Sequence, residues 1–138
     1  VFQPDRLSAA LIMPMNSSNH KKTSQKTGAL GEDLALNYLE KSGYRIIQRN
    51  FKCKFGEIDI IAYSNKTLTF IEVKTRSTDQ FGAPEESVNR AKQERQKRIA
   101  QYYFFKKRIP PEIPCQFDIV SIKLANKNPE ITLIKNAF

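Results

Sequence analysis

Two stretches near the middle of the chain follow a period of two. In FGEIDIIAY (55–63), Ile58, Ile60 and Ala62 fall on one side of the pattern, and Glu57, Asp59, Ile61 and Tyr63 on the other. In TLTFIEVKT (67–75), Leu68, Phe70, Glu72 and Lys74 share one side, and Thr69, Ile71 and Val73 the other. Ser64-Asn65-Lys66 between them has turn chemistry, so the pair reads as a β-hairpin. A four-residue loop, Ser64 to Thr67, sets Tyr63 opposite Leu68 and therefore Asp59 opposite Glu72. In that register Ile58, Ile60, Ala62, Thr69, Ile71 and Val73 form one apolar face. A slip of one residue breaks that face and sends the two carboxylates to opposite sides.

The flanking pattern has helical period. GALGEDLALNYLEKSG (28–43) predicts a helix ending at Gly43, with Leu30, Leu34, Ala35, Tyr38 and Leu39 on a broad apolar arc. Asp33, Asn37 and Glu40 lie opposite that arc, whereas Glu32 sits at its edge and looks toward the sheet. YRIIQRN (44–50) reads as a strand, and NRAKQERQKRIAQYYFFKK (89–107) as a long helix capped by Asn89 and stopped before Pro110-Pro111. CQFDIVSIK (115–123) and EITLIK (130–135) are two last strands. The order αβββαββ predicts one α/β domain over residues 28–138, a mixed central sheet flanked by helices. Residues 1–27 contain the polar run MNSSNHKKTSQKTG and read as a mobile basic tail. LSAALIMPM (7–15) is apolar but short, with no small-residue cleavage site after Pro14, and translation from Met13 or Met15 is an alternative start.

The formal net charge of +9 suits a polyanionic partner, nucleic acid or an anionic surface. Two cysteines, Cys53 and Cys115, without ligand spacing argue against a zinc knuckle and fit a reducing, cytoplasmic compartment. His20, the single histidine, lies in the polar tail, which leaves a histidine triad without its base. No apolar run approaches the ~20 residues that cross a bilayer.

Opposed carboxylates have Cβ atoms about 5 Å apart and repel one another. Lys74 offsets part of that repulsion; a divalent cation offsets more, and hard oxygen donors suit Mg²⁺ or Mn²⁺. Each charge also has a plainer reading. Glu72 and Lys74 form an exposed ion pair on one strand, Asp59 satisfies a backbone amide, Glu57 is solvated, and Glu32 favours the helix N-terminus. Taken together, Glu32, Asp59, Glu72 and Lys74 assemble a cation site from separate elements.

GEIDIIA, IEVKTRS and GALGEDLALNYL, with FGAPEESV, FDIV and the terminal NAF, resemble the PD-(D/E)xK restriction-endonuclease-like superfamily. Within it the likeness is to the bacterial YraN-type family, distantly similar to archaeal Holliday-junction resolvases, and it covers residues 28–138. The resemblance implies an αβββαβ core. Asp59 and Glu72 become metal-binding acids, Lys74 the lysine of the triad, and Glu32 the additional helix acid; Ile58 stands where the motif has proline. It implies a Mg²⁺- or Mn²⁺-dependent endonuclease on nucleic acid, most simply DNA, structure-selective and able to act on branched substrates. The backbone carbonyl of Val73 joins the ligands, and Glu32 holds a water or a second metal. Lys74 stays protonated among the acids and stabilises transition-state charge.

Lys92 and Gln96 share a stripe of the basic second helix with Ile99 and Tyr103, facing the sheet near its polar end, where they reach phosphate. Arg90 and Arg95 on the same helix contact nucleic-acid backbone. Phosphate contacts lower affinity with salt by about −0.9 per contact on a log–log plot for duplex DNA. Tyr102 to Phe105, Phe51 and Phe55 are read as core rather than base-stacking groups. The alternative is a non-catalytic nucleic-acid-binding accessory protein on the same fold. Junction cutting favours a homodimer with two sites across the branch.

Overall fold

A computed structural model describes residues 23–77, 88–124 and 128–138. Helix α1 (Thr23–Lys41) precedes β1 (Arg45–Cys53), β2 (Gly56–Ser64) and β3 (Thr67–Arg76). Helix α2 (Arg90–Lys106) then leads to β4 (Cys115–Lys123) and β5 (Glu130–Ile134). The strands form one five-stranded sheet in the order β1-β2-β3-β4-β5. All neighbours are antiparallel except β3 and β4, which run parallel. A parallel pair needs a crossover of a dozen or more residues, and α2 lies in that connection. The αβββαββ order and the mixed sheet between helices are thus as the pattern predicts.

α1 begins at Thr23, not at Gly28. The polar run TSQKT has no apolar period to reveal a helix, yet extending a formed helix by polar residues costs little. The remainder of the expected tail, 1–22, and most of FGAPEESV lie outside the described residues. α1 ends in a Schellman motif: Tyr44 N–H donates to Leu39 O at 2.9 Å and Gly43 N–H to Glu40 O at 3.1 Å. That turn requires φ of +91° at Gly43, a value favouring glycine.

The β2–β3 turn is tighter than expected. Ser64 pairs with Thr67, leaving Asn65 and Lys66 as a two-residue loop with φ of 51° and 59°, the type I′ signature. Tyr63 still faces Leu68, so the register survives the shorter loop.

The apolar face needs correction. Ile60, Ala62, Ile71 and Val73 pack on the α1 side with Ala35 and Leu39, but Ile58 joins Ile61, Leu68 and Phe70 on the α2 side with Ile99 and Tyr103. Alternation therefore slips once between Ile58 and Ile61, and Ile61 does not share a face with Asp59. The slip lies opposite an irregular part of β1. Asn50, between the pairs Arg49–Ile60 and Phe51–Ile58, has a φ of 50° that kinks the edge strand. A further bulge at Ile47 separates the pairs made by Ile46 and Gln48.

Each fully buried Leu, Ile or Phe in these two layers contributes roughly 1.5–3 kcal/mol of burial. On the α2 side the aromatics form one network. Tyr103 meets Phe51 edge-on at 5.0 Å and Phe70 at 5.8 Å, and Phe117 stacks on Phe70 at 5.6 Å. These rings are core, as expected, although Phe105 is 84% exposed. Among the described residues the buried Tyr103 hydroxyl has no hydrogen-bond partner, a cost of ~1–3 kcal/mol. Tyr103→Phe should therefore raise the melting temperature by a few degrees, and a fall in a thermal melt would contradict this.

The FDIV and NAF segments meet. Asp118, buried in β4, accepts Asn136 N–H at 2.9 Å and Gln116 Nε2 at 3.0 Å. Ala137 N–H donates to Phe117 O at 2.8 Å, and Phe138 stacks on Phe117 at 5.0 Å. Burial pushes the Asp118 carboxyl above its usual range, and the Asn136 and Gln116 donors oppose that rise. The C-terminal residues thus complete the β4 end of the sheet.

Candidate active site

β2 and β3 are paired from the Asn65–Lys66 turn as far as Ile60 and Ile71. The ladder stops there, one step before Asp59 would directly oppose Glu72. Asp59 turns into the opening instead: its Oδ2 accepts the Val73 N–H at 2.8 Å. The plainer reading of Asp59, a carboxylate on a backbone amide, is therefore part of the geometry. It does not remove Asp59 from the site. Asp59 and Glu72 line one cleft of about 550 Å³ with Glu32, Val73, Lys74, Thr75 and Gly28.

Glu72 is the centre of a donor cluster. Its Oε1 accepts Lys92 Nζ at 2.6 Å and lies 3.3 Å from Lys74 Nζ, while Oε2 accepts Gln96 Nε2 at 2.9 Å. Lys92 and Gln96 thus reach the sheet's polar end as expected, but their nitrogens engage Glu72 rather than stand free for phosphate. Arg90 and Arg95 are exposed on α2. Arg95 lays its stem over β2, where a Cβ added at Gly56 would lie 3.2 Å from its Cδ.

Glu32 comes from the third turn of α1 and is held from β1. Asn50 Nδ2 donates to its Oε2 at 3.4 Å, and Arg49 lies 3.7 Å away while pairing with exposed Asp33 at 3.1 Å. Such exposed pairs are worth ~0–1 kcal/mol, so they orient α1 more than they stabilise it. The Asn50 contact was invisible to period-two reasoning, because the residue departs from strand geometry. An asparagine's tolerance of positive φ was the available signal.

Close packing brings α1 to the site. A Cβ at Gly31 would overlap Thr75 Oγ1 and lie 3.0 Å from its Cβ and 3.2 Å from its Cγ2, so turning Thr75 alone does not open the space and its backbone must shift too. Gly31→Ala gains about 1 kcal/mol of helix propensity and loses roughly 1–3 kcal/mol to overpacking. The expected result is a lower melting temperature, with Thr75→Ala in the double variant restoring part of the loss. Additive effects in that cycle would show that the two positions are not in contact.

The electrostatics are those of an acid-rich cleft. Burial, then Glu72, and more weakly Glu32 and Glu57, push the Asp59 carboxyl up to about 7, against the Val73 amide that favours its charged form. Lys74 lies below the usual lysine range, through burial first and the Lys92 ammonium second, with Glu72 pulling the other way. The expected opposition of burial and carboxylates at Lys74 thus has a further participant, because Lys74 shares its counter-charge with Lys92. Burial works against the charge on Lys92 too, but its bond to Glu72 outweighs it and raises its pKa. Glu57 is exposed, as its solvated reading requires. Among the described residues no three His, Cys, Asp or Glu side chains are gathered into a ready-made metal cage.

A second cleft, of about 420 Å³, lies at the other end of α2 between Ala100, Phe104, Ile113 and Phe117. Among the described residues its lining has no carboxylate. Cys53 and Cys115 are both free thiols, and no helix among the described residues is long and apolar enough to cross a membrane.

Residues 31–122 match the model of the uncharacterised protein family UPF0102. A UPF0102 protein of Alkaliphilus oremlandii is 44% identical over 116 residues, covering 83% of this chain and 99% of the relative. One from Syntrophus aciditrophicus is 44% identical over 113 residues, covering 82% and 88%, and one from Caldicellulosiruptor bescii 45% over 116 residues, covering 83% and 98%. The matched span runs from Gly31, at the tight contact with Thr75, through every residue of the cleft except Gly28 and on to Ile122 of β4. The chain belongs to the UPF0102 family.

Proposed function

We propose that the protein is a metal-dependent endonuclease of the PD-(D/E)xK type, hydrolysing phosphodiesters of nucleic acid. The observation that carries this reading is the convergence of Glu32, Asp59, Glu72 and Lys74, from α1, β2 and β3, on one cleft where the β2–β3 ladder ends. A divalent ion fits that cleft. Its donors are hard oxygens, and burial first, then the Glu72 carboxylate, push Asp59 toward its neutral form, a cost that a cation bound beside it would offset.

Asp59 and Glu72, with the Val73 carbonyl and Glu32, would hold Mg²⁺ or Mn²⁺. Bound there, the ion supplies Lewis-acid polarisation of the phosphoryl oxygen and acidifies an attacking water. The Val73 amide fixes one oxygen of the Asp59 carboxylate at the wall of the cleft. Gln96 holds the rotamer of Glu72 from α2. Lys74, beside Glu72, stabilises negative charge growing on the phosphoryl oxygens. Arg90 and Arg95, exposed on the same helix as Lys92, contact the nucleic-acid backbone.

DNA is the substrate this reading favours, with flaps and four-way branches as candidates. A homodimer with two cooperating sites suits a branched substrate, and a cytoplasmic location goes with both. The test is incubation with Mg²⁺ or Mn²⁺ and a panel of linear, nicked, flapped and four-way DNA and single-stranded RNA. Cleavage that EDTA and Asp59→Ala both abolish is the expected result. The alternative, a non-catalytic nucleic-acid-binding protein, is favoured by one feature: Glu72 is already paired with Lys92 and Lys74 and hydrogen-bonded by Gln96. Salt-sensitive DNA binding, with neither cleavage nor cation uptake in a calorimetric titration, would establish that alternative.

A further inference from the structure

We propose that Lys92 is the resident counter-ion of Glu72, which an incoming divalent cation must displace, and that its release makes the ammonium available to a substrate phosphate. The inference rests on the metal-dependent reading above and adds an exchange step to it. No bond is made or broken in that step; an ammonium and a cation trade places on one carboxylate.

The geometry points to Lys92 rather than Lys74. Lys92 Nζ makes the shortest contact on Glu72, 2.6 Å against 3.3 Å for Lys74. The two ammoniums both approach Oε1 and Gln96 takes one position on Oε2, so three of about four lone-pair directions of the carboxylate are committed. Asp59 has one oxygen on the Val73 amide. This accounts for a cleft whose acids line one space without forming a ready cage.

Charge and mobility support the exchange. Fully ionised Glu32, Asp59 and Glu72 against Lys74 and Lys92 leave the cleft with one negative charge. A divalent ion in place of Lys92 brings it to neutrality; an ion added beside both lysines makes it positive. Lys74 is anchored in β3, paired on one side to Ser121 of β4. The two lysine side chains are about equally exposed, 27% for Lys92 and 25% for Lys74, but Lys92 stands in the first turn of α2, outside the strand ladder, and its four-carbon stem lets the ammonium withdraw toward solvent and substrate.

The test is calorimetric titration of the full chain with MgCl₂ and MnCl₂, comparing wild type, Lys92→Met and Lys92→Arg. Loss of the competing charge should make Lys92→Met bind about tenfold more tightly, given the size of unit-charge repulsion at this range in a partly buried site. Lys92→Arg should stay near wild type. The rise in melting temperature on adding MgCl₂ should also be larger for Lys92→Met, and in Ca²⁺ its affinity for a labelled DNA flap should fall. Lys92→Ala carries the same expectation should methionine not pack. Equal or weaker cation affinity in the Met and Ala variants, with clear binding by wild type, overturns the exchange and leaves the metal reading intact. No cation uptake by any of the proteins overturns both.

Discussion

Asp59→Asn should melt higher than the wild-type chain at pH 8 in EDTA, while losing all cleavage. The carboxyl of Asp59 is pushed up to about 7 in the folded chain from an ordinary 3.8. A folded-state pKa above the unfolded value means the native state holds the proton more tightly. Its contribution is therefore most favourable below about pH 4, declines as pH rises through 7, and is a standing cost above that. At ~1.4 kcal/mol per pH unit the cost of the ionised form approaches 4 kcal/mol at pH 8, an upper figure for a group near the surface of a cleft. Asparagine keeps an oxygen for the Val73 amide and removes the charge. The gain should vanish below pH 4. Adding MgCl₂ should raise the wild-type melting temperature and leave Asp59→Asn unmoved, which ties the stored repulsion to cation binding. A variant that melts lower than wild type at pH 8 in EDTA would show that the cleft carries no such cost. Stability given up at a site in this way is a common mark of function.

The fold was legible because local signals agreed with one another. Period-two runs, the Asn65–Lys66 turn, the Gly43 stop and the Asn89 cap each point to the element that is found there. Asn89 does accept the Lys92 amide, at 2.9 Å, from the N-cap position of α2. The site was legible only in outline. Period-two reasoning brought Asp59 and Glu72 to one place through the register of the hairpin. It could not see the ladder end at Ile60–Ile71, because strand pairing beyond that point yields to the kink at Asn50 and to a side-chain bond with a backbone amide. Nor could it give the partners of Glu72. Lys92 and Gln96 lie 20 and 24 residues away across a crossover, and the helical stripe that carries them indicates a direction but no contact. Gly31 was hidden for a different reason: a glycine inside a helical pattern reads as a weakness, whereas here it admits Thr75 into the helix surface. The resemblance to a nuclease superfamily named the acids. The geometry adds what restrains them.

The largest loss of activity should come from Lys74→Met, with cation affinity no weaker than wild type. Lys74 approaches Glu72 at 3.3 Å but is not the closest ammonium to it. Removing it therefore leaves Glu72 paired to Lys92 and Gln96, and the cleft intact for an ion. On the proposed endonuclease reading, what disappears is a positive charge beside the reacting phosphate, at a depth where burial strengthens its effect. Losing one preorganised donor of that kind costs about 10²–10³ in rate, and a full charge belongs at the upper end. The lowered pKa of Lys74 sharpens the test. If the lysine acts as a cation, Lys74→Arg retains part of the rate and activity falls as the lysine deprotonates at high pH. If it acts as a base, arginine is inactive and the rate rises with pH until the lysine is neutral. Cleavage by Lys74→Met at the wild-type rate would remove the residue from the chemistry altogether, and equal loss of cation binding and cleavage would make it a structural support of Glu72.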